Sequence, residues 1–128
     1  MDVAAVEDLF APLWPVSCRR MFGGFGVFRG KLMIGLVAEG EFYLKAAPDD
    51  AALLTAAGAR PFIYAGKVEP TTGVRKPVAT SYWSVPPAVM EDDEAFRAAA
   101  ERASMAARAA ADRRVARLTG WRAAHEAG

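Results

Sequence analysis

The residues that could do chemistry are few. His125 is the only histidine and Cys18 the only cysteine. A Ser/His/Asp or Cys/His site needs an ordered base beside its nucleophile, and here the base would stand at the fraying C-terminal end. Cys18 precedes Arg19 and Arg20, and nearby cations lower a thiol pKa. The plainer use of a free cysteine, as a small buried hydrophobe opening a strand, fits the surrounding text better. Zinc asks for three or four Cys, His or carboxylate ligands, which one Cys and one terminal His do not supply. The run Glu91-Asp92-Asp93-Glu94 could hold a metal or an acid/base pair, but it precedes an apolar-periodic stretch and reads as a helix N-terminus. Gly23, Gly24, Gly26 and Gly30 look at first like a phosphate loop. They match neither GxGxxG nor GxxxxGK[ST], so they read as glycines of tight turns and close backbone approach. The sequence therefore offers no catalytic residue, no metal ligand set and no cofactor motif.

The elements that would position any site follow from the periodicity. Val3, Val6, Phe10 and Leu13 recur at helical spacing, and Pro12 and Pro15 end that helix. From Arg19 to Ala46 the period shortens to that of three or four strands. Residues 32–38 are apolar on both faces, as in a central strand, whereas residues 41–45 alternate and keep one wet face. Arg29-Gly30-Lys31 and Glu39-Gly40 are turn text between them. Asp49 or Asp50 would cap a short helix through Leu53 and Leu54, closed by Gly58. Residues 61–65 form a strand, residues 66–77 read as a loop, and residues 78–85 form the last strand.

A long Ala-rich helix then begins at Asp93 or Glu94 and runs to about residue 119, with Asp92 or Asp93 as its cap and Gly120 at its end. This helix is longer than so small a sheet needs, so its C-terminal part is expected to project or to pack on a partner. The whole reads as one α+β domain over 1–128, with a core of about 1–110.

Composition narrows the function classes. A net charge of +1 carries no strong field toward nucleic acid or an anionic membrane. The balance of 53% hydrophobic and 24% charged residues is that of a globular protein. A lone thiol, acids at Asp2, Glu7 and Asp8, and no long apolar run fit a cytoplasmic protein without membrane contact.

Two features exceed what a core requires. Tyr43, Tyr64, Tyr82 and Trp83 fall on neighbouring strands, and alternation sends Tyr82 and Trp83 to opposite faces. Arginines recur along the last helix at 97, 102, 108, 113, 114, 117 and 122, as a solvated face or a binding face. Arg108, Arg113, Arg114, Arg117, Leu118 and Trp121 make up the candidate partner surface. Tryptophan is enriched at interface hot spots, and the simplest partner is a second copy related by a two-fold axis.

Arg20-Met21-Phe22-Gly23-Gly24-Phe25-Gly26-Val27-Phe28 resembles the R-M-F-G-G-x-G-[LIV]-[FY] opening of the TfoX/Sxy N-terminal domain. Leu44-Lys45 is similar to that family's L-Y-L-K segment. Pro61-Phe62-x-Tyr64, Gly66-Lys67 and Ser81-Tyr82-Trp83-x-Val85-Pro86 resemble its later blocks, in the same order. The resemblance implies a two-layer fold, an antiparallel sheet covered by helices, in α-β-β-β-α-β-β-α order. It also implies a regulatory role without catalysis, since the best-known members are competence regulators acting as transcriptional coactivators. Those members carry a second, C-terminal domain that this sequence does not include, which favours a stand-alone protein-interaction role over competence control itself. The alternatives are direct nucleic-acid binding through the Arg-rich helix and small-ligand binding at the glycine-rich hairpin.

Overall fold

The computed structural model describes the backbone of residues 1–126 and the side chains of residues 1–120. Helix α1 spans Val3–Phe10, and Asp2 caps it by accepting a hydrogen bond from the Ala5 amide. Val6 and Phe10, one turn apart, are its buried residues. Four strands follow: β1 (Ser17–Met21), β2 (Gly24–Arg29), β3 (Leu32–Ala38) and β4 (Glu41–Lys45). A 3₁₀ turn at Pro48–Asp50 leads into α2 (Ala51–Ala56). Strands β5 (Pro61–Val68) and β6 (Arg75–Ser84), the short α3 (Pro87–Met90) and the long α4 (Asp93–Glu126) complete the chain.

The fold is α+β, with six antiparallel strands in the order β1-β2-β3-β4-β6-β5. Two details differ from the order that the resemblance implies and from the loop that composition suggests. Four strands, not three, precede α2, because Ser17–Met21 pairs with Gly24–Arg29 as a separate edge strand. Residues 66–68 and 75–77 extend the two strands, with Ala65 opposite Pro77 and Val68 opposite Arg75, and only residues 69–74 form a turn. At Pro77 strand β6 pairs with β5 alone, so the missing amide of proline falls at an open edge.

Turn chemistry fixes the meander. Phe22 and Gly23 both have positive φ (51° and 73°), as do Glu39 and Gly40 (52° and 77°). Two successive positive φ angles make the two-residue turn whose twist matches antiparallel strands. Between β2 and β3 the register shifts: Val27 faces Gly35 and Phe28 faces Met33. Ile34 is the extra residue of that bulge, and it joins Val37 in the core beneath the helices.

The two faces of the sheet carry different clusters. On one, Val6 and Phe10 of α1 and Phe96, Ala100, Ala103 and Ala107 of α4 cover Val27, Ile34, Val37, Phe42 and Leu44. Phe10 meets Phe96 edge-on at 5.2 Å. Alanine at the contact positions of α4 lets the helix lie close on the sheet, and Ala100 and Ala103 are fully buried. On the other face Leu36, Ala38 and Phe62 form a smaller cluster with Met21, Met33, Tyr43, Tyr64 and Tyr82.

Asp92 caps α4, its Oδ1 accepting from the amides of Glu94 and Ala95. The helix does not end at Gly120 but continues to Glu126, since a glycine in a helix interior costs only about 1 kcal/mol. Its 34 residues make a rod of about 50 Å. Asp50 provides no side-chain cap for α2 and instead accepts from Arg102 of α4 at 2.9 Å.

Candidate functional site

The face of the sheet away from the long helix curls. Strands β1 and β5 are its two edges. Even so, Phe22, in the turn that follows β1, packs at 5.8 Å from Phe62 and 5.0 Å from Tyr64, both of β5. Tyr43 adds an edge contact to Phe62 at 5.3 Å. Phe22 is half-exposed and holds a left-handed conformation that a bulky residue rarely adopts. The aromatic stack holds it there and draws the two edges together.

Lys45 and Tyr82, cross-strand partners on β4 and β6, stand at one end of this face. The Lys45 ammonium donates to Ser81 Oγ and lies 5.0 Å from the centre of the Tyr82 ring. The Tyr82 hydroxyl donates to the Met33 carbonyl at 3.0 Å, and burial pushes its pKa up to about 12. Burial pushes the Lys45 pKa below its usual value, and the charges of Arg114 and Arg113 push it the same way.

Trp83 lies on the opposite face from Tyr82, as alternation requires, and is paired with Leu44. It lines a groove of about 380 Å³ between α2, α3 and α4, together with Leu53, Leu54, Val85 and Val89. The Asp50–Arg102 pair stands at its rim. Leu53 is 70% exposed, so the groove is open to solvent.

The glycines of the β1–β2 hairpin have structural work. A Cβ on Gly24 would sit 1.8 Å from the Val37 carbonyl oxygen. Gly23 needs its positive φ, and Gly26 lies against the flexible side chain of Met21. Arg20 is exposed on β1, and Met21 belongs to the smaller cluster. Gly66 has no room for a Cβ beside Val78 and the Lys76 carbonyl, and Lys67 next to it is exposed. Pro86 opens α3, where its carbonyl accepts from Val89 and Met90. Cys18 is half-buried, and burial, then Glu7, raises its pKa, opposite to what a reactive thiol needs. Among the described residues no three His, Cys, Asp or Glu side chains gather where they could hold a metal ion. No helix is long and apolar enough to cross a membrane.

Two arrangements are absent from the sequence expectations. Arg29 lies 4.1 Å over the Trp14 ring, donates to the buried Ser104 hydroxyl at 3.1 Å and approaches Glu101 at 3.9 Å. Trp14 Nε1 donates to the same Glu101. This knot ties the segment after α1, strand β2 and the first third of α4. The second is the contact of Lys45 with Ser81 across two strands. Both join residues far apart in sequence, and no local pattern signals them.

Among the described residues of α4, the last buried one is Ala107. Arg108, Arg113, Arg114, Arg117 and Leu118 of the candidate partner surface are exposed beyond it, and Val115 with them. Leu118 is 66% exposed. The side chains of Trp121, Arg122 and His125 lie outside the described residues.

None of the curated proteins compared matches the chain. The family model described as the TfoX N-terminal domain matches residues 8–107, from the middle of α1 to the buried Ala107 of α4. With the edge-closing hairpin, the tyrosine-lined sheet and the sheet-covering part of α4 inside that span, the chain belongs to the TfoX N-terminal domain family.

Proposed function

We propose that this domain is a non-enzymatic regulatory module that works by binding a protein, in the manner expected of a competence or transcription regulator. The observation that carries this reading is the overhang of α4. Leu118 stands eleven residues beyond Ala107 and eighteen beyond Ala100. At 100° per residue it falls on the arc that meets the sheet, with nothing beneath it. An apolar residue that continues a buried stripe into solvent fits a second protein surface. A second copy of the chain is the simplest partner, since a two-fold axis would let each overhang cover the other.

Light scattering on the intact protein and on a chain ending at Ala110 tests the proposal. A dimer that becomes a folded monomer on truncation supports it. Two monomers, with the shorter one melting much lower, would make the overhang part of the fold and end the self-association reading. Binding to duplex DNA that weakens steeply with salt would replace it with nucleic-acid recognition by the arginines.

A further inference from the structure

Lys45 is a half-buried cation without a carboxylate partner among the described residues. Among the described residues the ion pairs are Arg29–Glu101, Arg60–Glu41 and Arg102–Asp50, and Lys45, Arg113 and Arg114 take part in none. A cation withdrawn from water is ordinarily paired. Lys45 instead has a hydroxyl and an aromatic face, Ser81 Oγ and the Tyr82 ring.

The long helix adds charge of the same sign. Arg114 stands seven residues beyond the buried Ala107 and fourteen beyond Ala100, which puts it on the sheet-facing arc of α4. The charges of Arg114 and Arg113 reach Lys45 and Arg114's reaches Tyr82, so the end of β4, β6 and the root of the overhang share one positive field. Among the described residues no carboxylate offsets it at Lys45.

We propose that Lys45, Ser81 and Arg114 form a binding site for the phosphate group of a small molecule, bridging the sheet to the root of the projecting helix. The donors suit that chemistry. An ammonium has three N–H bonds, of which Ser81 takes one. Ser81 Oγ accepts from Lys45 and keeps its own proton to donate. Arg114 supplies a guanidinium, the side chain best matched to phosphate oxygens. A dianion relieves the repulsion between the cations, while the Tyr82 hydroxyl, already donating to Met33, flanks the site as a fixed wall. Its lysine and serine belong to the sheet and Arg114 to the overhang, so light scattering run beside the titration tells a loss of phosphate binding from a loss of the dimer proposed above.

The test is an NMR titration of the full chain with inorganic phosphate, with AMP as a phosphomonoester and with acetate, all at one ionic strength set with sodium chloride. Saturable shifts at Lys45, Ser81 and Arg114 with phosphate or AMP are expected, together with a rise in the Lys45 pKa on binding. Tighter binding of AMP than of phosphate would assign the site to a phosphorylated metabolite, and the reverse to free phosphate. Lys45→Met should weaken binding at least tenfold. Arg114→Gln, at an exposed helix position that leaves the fold intact, should weaken it several-fold. Shifts that do not saturate, that acetate reproduces, or that survive both substitutions would overturn the proposal.

Discussion

The Phe22 ring rests 5.0 Å from that of Tyr64, although the two belong to opposite edges of the sheet. A flat sheet would keep these edges several strand spacings apart, so the contact measures how far the sheet has curled. Phe22 reaches it from a positive φ of 51°, a conformation that costs a non-glycine residue about 1–2 kcal/mol. Phe22→Ala, Tyr64→Ala and the double variant should therefore show coupling of about 1 kcal/mol in denaturant melts, the value of an aromatic pair. Strictly additive losses would mean that the edges are not held by this pair.

Gly24 and Gly26 should respond differently to the same change. Gly24→Ala forces a Cβ against the Val37 carbonyl, a backbone atom that cannot yield without moving β3. A loss of about 3 kcal/mol is expected. Gly26→Ala meets the Met21 sulfur and methyl and the Phe28 ring at 3.0 to 3.1 Å. Methionine can shift, so a loss below about 1.5 kcal/mol is expected. Thermal melts of the two variants check the order, and equal losses would contradict it.

Arg29 should matter for its shape more than for its charge. Its contact with Glu101 is long, at 3.9 Å, whereas stacking on Trp14 and the bond to Ser104 need the planar guanidinium. Arg29→Ala should cost about 1–2 kcal/mol and leave the buried Ser104 hydroxyl short of a donor. Arg29→Lys should recover little of that loss. Full recovery in the lysine variant would show that the charge is what counts.

Tyr82 gives the fold an alkaline limit. Its pKa is about 12 in the folded chain against an ordinary value of 10.0, because burial disfavours the phenolate. Above pH 10 the unfolded chain loses this proton first, so the unfolded state binds fewer protons than the native one. The stability contributed by Tyr82 is complete below pH 10 and is lost as pH rises toward 12. An absorbance titration at constant temperature should show a tyrosine step well above the others, missing in Tyr82→Phe. A Tyr82 that titrates at its ordinary value would place the ring in water.

How much of this was legible depended on whether a feature is local. Residues 32–38 could be read as a central strand because both faces are apolar, and the structure buries Ile34 to Ala38. Alternation separated Tyr82 from Trp83 correctly. Ser17–Met21 was harder to delimit, because an edge strand with the text SCRRM has little apolar period to detect. Residues 66–77 looked like a loop from their Pro, Thr and Gly, but pairing between β5 and β6 overrides composition. At the site, the family-like residues Lys45 and Tyr82 stood out as motif members. Their contact with each other and with Ser81 depends on strand register, which only the folded sheet supplies. The Arg29 knot was invisible for the same reason, since 75 residues separate Arg29 from Ser104.

The unbroken run of α4 from the buried Ala107 through the exposed Leu118 makes the helix a protractor as well as a rod. Each residue added or removed just after Ala107 would turn everything beyond it by about 100° and shift it by about 1.5 Å, while the sheet and its covering helices kept every contact. A seven-residue change would nearly restore the angle and alter only the reach. The bearing of the overhang is thus set by counting residues in one alanine-rich stretch, so insertions there tune direction and length separately from stability.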